Sequence, residues 1–144
     1  MNCRLPLAAA FSILAVATAC ADGIEPGLWR VTSQVDNGGV VGPPHESSKC
    51  LTADQTADLA TAFSPVATTV NSDCAPMERN LKGPLLTWHL ACKGQLNMDL
   101  SGQFNFDGPH HYSGVVHTKA DMPGMPPVDS KTMVEGQWVA ACPQ

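Results

Sequence analysis

The sequence predicts a mainly β fold: one antiparallel sheet curled into a barrel or half-barrel, with one short helix packed on it and two disulfides. Three observations carry this. Residues 95–106, QLNMDLSGQFNF, alternate strictly, with Leu96, Met98, Leu100, Gly102, Phe104 and Phe106 on one side and polar residues on the other. That is the period of a strand with one buried and one wet face. The signals DNGG, KGP and DGP mark reversals between further apolar stretches. Finally, four cysteines remain once the N-terminal segment is set aside, and they can pair completely.

That N-terminal segment comes first in the chain. Arg4 is the only charge before Asp22, and residues 5–19 are almost all apolar or small, ending in Ala17-Thr18-Ala19. A charged start, a short apolar stretch and an A-x-A end describe a secretory signal peptide. Residues 1–19 are therefore read as the signal, 20–26 as a linker and 27–144 as a single β-domain. Cys20 follows the A-x-A directly, so ATAC resembles a lipobox, with Ala17 where Leu is usual. The competing cleavage, after Ala21, would leave Asp22 first. Cysteine parity favours Cys20 being lipidated or removed, because a retained free thiol would make the exported count odd, and the lipobox-like ATAC supports the lipid.

Long strands must coil, and Gly102 offers a bend point in residues 95–106. In residues 27–35, Trp29, Val31 and Val35 share a face. In residues 85–92, Leu86, Trp88, Leu90 and Cys92 do so, and in residues 132–142, Val134, Trp138 and Cys142. Residues 110–118 hold strand formers but alternate poorly. Thr52 followed by Gln55 has the form of a capping box, so a helix starts there, turns Leu59, Ala60 and Phe63 toward the sheet, and stops at Pro65.

Cys74 and Cys92 each stand nine residues from Gly83 in the KGP turn. That symmetry predicts Cys74–Cys92 across a hairpin and, by exclusion, Cys50–Cys142. The same register sets Glu78 opposite Trp88, and a one-residue slip would set Met77 there. A bulge near Pro76 reconciles the two demands.

Most of residues 25–142 resemble a family at several points. EPGLWRVTSQV, SKCLTADQ, the stretch from DCAPMERN to NMDLSGQFNF, HHYSGVV and EGQWVAAC occur in the order found in the bacterial family called domain of unknown function 3617. Its members are small exported proteins, often lipoproteins. In that family a Met-Pro-Gly-Met stretch often follows the first strand, whereas here DMPGMPP comes late. The resemblance implies fold and location and no activity.

The chemistry-bearing residues are few. Motifs for a serine nucleophile, a phosphate loop or a zinc protease are absent, so no catalytic residue and no cofactor is expected. Without residues 1–19 the chain keeps 8 − 1 = 7 Lys and Arg against 13 Asp and Glu, a formal charge near −6. That argues against nucleic acid and against adsorption to anionic lipid. Met122-Pro123-Gly124-Met125 has the form of a type II turn that brings two thioethers together. With His117 they would be the ligands of a soft-metal (copper) site; as a turn whose methionines cover apolar surface they need no metal. Trp29, Trp88 and Trp138 fill a small core or line an apolar cavity. The sequence thus describes a non-catalytic envelope domain with a binding or assembly role, attached to a membrane through Cys20 or free in the periplasm. Copper binding through Met122, Met125 and His117, or carriage of an apolar small molecule within the curled sheet, are its alternatives.

Overall fold

The computed structural model describes residues 23–66 and 72–143. Strand β1 (Gly27–Asn37) turns through Gly38 and Gly39 into β2 (Val40–Val41). Both glycines have positive φ, 61° and 94°, as a type I′ turn requires, and Asp36 Oδ1 accepts from the Gly39 N–H at 2.7 Å. After Pro43-Pro44 the chain rejoins the same edge of β1 as β3 (His45–Leu51), pairing from Ser33↔His45 to Gly27↔Leu51. The prolines cannot donate to the ladder and so divide β2 from β3.

The capping box forms as the sequence requires. Thr52 Oγ1 accepts from the Gln55 N–H at 3.3 Å, and Gln55 Oε1 accepts from the Thr52 N–H at 2.9 Å. The expected single helix is instead two short ones, α1 (Ala53–Ala57) and α2 (Leu59–Ala62). Asp58 causes the break: it leaves helical geometry, and its carboxylate accepts from the Thr61 N–H at 3.1 Å to cap α2. Its hydrogen bonds from Thr61 hold its carboxyl below the usual range.

Then follow β4 (Ser72–Cys74), β5 (Glu78–Lys82), β6 (Leu85–Gly94), β7 (Asn97–Gly108), β8 (His111–Asp121) and β9 (Val128–Ala140). All pairings are antiparallel, in the order β2-β1-β9-β8-β7-β6-β4, with β3 also on β1 and β5 also on β6. Gly83-Pro84 forms a two-residue turn that sets Lys82 opposite Leu85 and hence Arg79 opposite Trp88. Neither Glu78 nor Met77 occupies that place. Cys74 nevertheless pairs with Cys92, because the register moves by one residue between β4 and β5 across Ala75, Pro76 and Met77. The break falls where the sequence placed a bulge, but the slip runs the other way, since the tight turn dictates it.

The sheet does not close. β3 and β5 are its two outer edges, and the end of α2 lies between them. The Lys49 ammonium on β3 stands 6.0 Å from the Phe63 ring centre, and Arg79 Nε on β5 donates to Ser64 Oγ at 2.8 Å. Phe63 drives into the concave face, 5.4 Å from Phe104, 5.0 Å from Phe106 and 4.8 Å from Tyr112 between ring centres. Around it lie Trp29, Leu51, Leu59 and Leu86, all buried. Burial also pushes the Tyr112 phenol up to about 12. One half of the curled sheet is therefore packed shut by a helical turn.

Candidate binding trough

The other half has no such filling. Because paired residues in an antiparallel sheet share a face, the registers define rows across the concave side. Leu86, Phe104, Gly114 and Val134 form one row, under Phe63. The next is Trp88, Gly102, Val116 and Thr132; then Leu90, Leu100, Thr118 and Ser130; then Cys92, Met98, Ala120 and Val128. On β6 these side chains are buried, but Leu100, Val116, Met98 and Ala120 are only half-buried, and Val128 is 48% exposed. From the Trp88 row to the Cys92 row is four residues, about 13 Å of strand. A cleft of about 670 Å³ opens at the far end of the sheet, bordered by Cys92, Met98, Ala120 and Val128 of the concave rows and by residues of the opposite face such as Asp99, Lys119 and Asp129. Its volume falls within the range of small-molecule sites, which combine an apolar lining with a few polar groups.

Trp88 stands where the filled half meets the open one. Its indole covers Gly102 so closely that a Cβ there would lie 2.5 Å from Nε1. A Cβ at that position points to the concave side, so the indole nitrogen is on that side too. The three tryptophans differ in one respect. Trp29 Nε1 donates to the Glu25 carbonyl at 3.1 Å and Trp138 Nε1 to the Pro26 carbonyl at 3.3 Å. Trp88 Nε1 is buried with no acceptor, the one such side-chain atom among the described residues. Leaving a buried donor unmatched costs about 1–3 kcal/mol.

The residues singled out from sequence are distributed as follows. Cys74 with Cys92, and Cys50 with Cys142, lie at disulfide bond distance. Cys20 lies outside the described residues. Met122 to Met125 form the expected turn, with the Met125 N–H donating to the Met122 carbonyl at 3.1 Å and Gly124 at φ 84°. Both methionines are exposed, 40% and 61%, beside the open end of the trough. His117 is not brought to them: it sits on the convex side between Ser101 and Lys131 in the ladder, about 16 Å up the strand from Met122. No group of three His, Cys, Asp or Glu side chains suited to a metal occurs among the described residues.

Sequence reasoning missed the arrangement of the other histidines. His111 Nδ1 is 2.6 Å from Asp107 Oδ1 and its Nε2 is 3.2 Å from Glu135 Oε1. The Asp107 hydrogen bond raises the imidazole above its ordinary value; burial opposes this and Glu135 adds to it. His110 stacks on Trp138 at 4.9 Å and meets Glu25 Oε2 at 3.2 Å. Asp107 and His111 flank a turn, so that contact was legible; Glu135 comes from another strand and was not. An apolar site within the curled sheet was among the alternatives, with Trp88 in its lining, but its other residues were not, since Ala120 and Val128 reveal an apolar role only once β8 and β9 are in register.

Two disulfides point to an oxidising, exported compartment, and no helix among the described residues is long and apolar enough to cross a membrane. Neither the curated proteins nor the solved structures contain a match. A family model, Protein of unknown function (DUF3617), matches residues 24–142, most of the chain, and the protein belongs to that family.

Proposed function

We propose that the protein is a non-catalytic binding domain of the bacterial envelope, whose ligand is an apolar small molecule held in the open half of the curled sheet. The observation that carries this reading is the half-buried apolar surface of Leu100, Val116, Met98 and Ala120 on the concave face, of which Met98 and Ala120 also border the cleft at the end of the sheet. A sheet that served only as a core would have a second cover there, as Phe63 covers the first half. Carriage fits the exported setting better than assembly does, because the apolar surface lies in a concavity and not on a flat face. A lipid on Cys20 would hold the domain at a membrane, close to a supply of such molecules; the ATAC sequence supports this.

The test is titration of the purified domain with an environment-sensitive apolar fluorophore. Saturable one-to-one binding is expected, lost in Ala120→Arg and kept in Gln103→Arg on the convex face. Equal binding by wild type and Ala120→Arg would refute the trough as the site. For the anchor, Cys20→Ser should move the protein from the membrane fraction to the soluble one. A wild-type protein that begins at an unmodified Asp22 would rule the anchor out.

A further inference from the structure

At the closed end of the trough, in the row it shares with Thr132, the Trp88 indole nitrogen is a buried donor with no acceptor. We infer that the Trp88 indole N–H is the recognition point for a hydrogen-bond-accepting oxygen on the ligand, so that the ligand class is an apolar chain with a carbonyl at one end. This deepens the binding function proposed above and rests on it.

Three observations converge. Trp88 is 6% exposed, yet Nε1 has no acceptor, while the two other indoles are both satisfied by backbone carbonyls. Buried donors are nearly always matched, so an exception asks for an explanation. Second, the nitrogen lies over Gly102 on the concave side, and the neighbours of Gly102 on that side, Leu100 and Val116, are half-buried. The open half of the face therefore begins beside this atom. Third, the residues nearest in the ladder are mostly apolar. Leu90, Leu100 and Val116 carry no hydrogen-bonding group in their side chains, and the hydroxyls of the two rows, on Thr118, Thr132 and Ser130, lie on β8 and β9. A carbonyl oxygen needs only one donor and brings its own apolar chain to cover Leu100, Met98 and Ala120. Position fits as well: the oxygen would sit at the deep end, and the chain would run about 13 Å toward the cleft.

The experiment uses two probes of equal chain length, a straight alkane and its 2-ketone, with ¹⁵N-labelled protein. The wild type should bind the ketone about tenfold more tightly than the alkane, as one added hydrogen bond in a dry site provides. Of the three indole N–H resonances, that of Trp88 alone should move downfield with the ketone. Trp88→Phe should erase the preference while retaining alkane binding. If this variant fails to fold, the wild-type resonances still decide. Ketone and alkane binding alike, with the Trp88 resonance unmoved, would overturn the inference and leave apolar binding standing. Binding of neither probe would overturn both.

Discussion

Trp88 on β6 and Gly102 on β7 are direct partners in the ladder, and the indole covers the glycine so closely that a Cβ would come within 2.2 Å of Cε2. The relationship repeats. Phe104 covers Gly114 on β8, and Tyr112 covers Gly136 on β9, each across its own paired position. Each ring stands one row higher than the last, so the aromatics climb diagonally across the concave face. A glycine in a strand interior weakens it unless something packs on the bare backbone, and here the neighbouring ring does so.

Gly102→Ala should consequently destabilise the protein by about 1–3 kcal/mol, since the added methyl must displace a buried indole. Gly23→Ala, whose added carbon meets nothing within 4 Å, should stay within about 0.5 kcal/mol. Urea unfolding of both variants against wild type checks the contrast. Equal midpoints would mean that the ring does not rest on Gly102.

The two disulfides close loops of different length, with sequence separations of 92 for Cys50–Cys142 and 18 for Cys74–Cys92. In the chain-entropy model these are worth about 5 and about 3 kcal/mol. Double replacement by Ala at Cys50 and Cys142 should then lower the denaturation midpoint more than replacement at Cys74 and Cys92. Peptide mapping without reduction should recover the same two pairs, and a Cys50–Cys74 peptide would contradict them.

His111, held by Asp107 and Glu135, is raised above its ordinary value of 6.5. A basic group whose folded value exceeds its unfolded value gives its full stabilisation below the unfolded value and loses it as the pH rises through the folded one. Stability should therefore be higher at a pH below 6.5 than at one above the raised folded value, and His111→Gln should narrow that difference. Denaturation midpoints at the two pH values measure it; an unchanged difference in the variant would exclude His111 as the source.

Met122 and Met125 are exposed at the turn beside the cleft. Replacing both with Leu should change stability by no more than about 0.5 kcal/mol, and the wild type should take up no stoichiometric copper. Sub-micromolar Cu(I) affinity abolished by the double replacement would instead establish a thioether site.

The strands were legible because their signal is local. Leu86, Trp88, Leu90 and Cys92 alternate in sequence and are all buried in space. The capping box at Thr52 and the turn at Gly124 were legible for the same reason. Asp58 was not, because an Asp in a helical stretch breaks it only when its own carboxylate finds the Thr61 N–H. Gly102 was read as a bend, since its role depends on an indole from another strand. The lining of the trough escaped notice for a related reason: Ala120 and Val128 look unremarkable until pairing aligns them with Met98 and Cys92.

β1 finds one of its neighbours in β9, from Leu28↔Ala140 to Asn37↔Ser130. The pairing imposes a timetable on a chain delivered N-terminus first. Strands β5 to β9 can zip up as they arrive, each onto its predecessor, while β1 waits with an edge open until nearly the whole domain has emerged. The thiols keep the same schedule. Cys74 meets Cys92 after 18 residues, but Cys50 must wait 92 for Cys142. An oxidant acting during delivery encounters Cys50 and Cys74 before either rightful partner has appeared, so the yield of native protein depends on how quickly that premature bridge can be reshuffled.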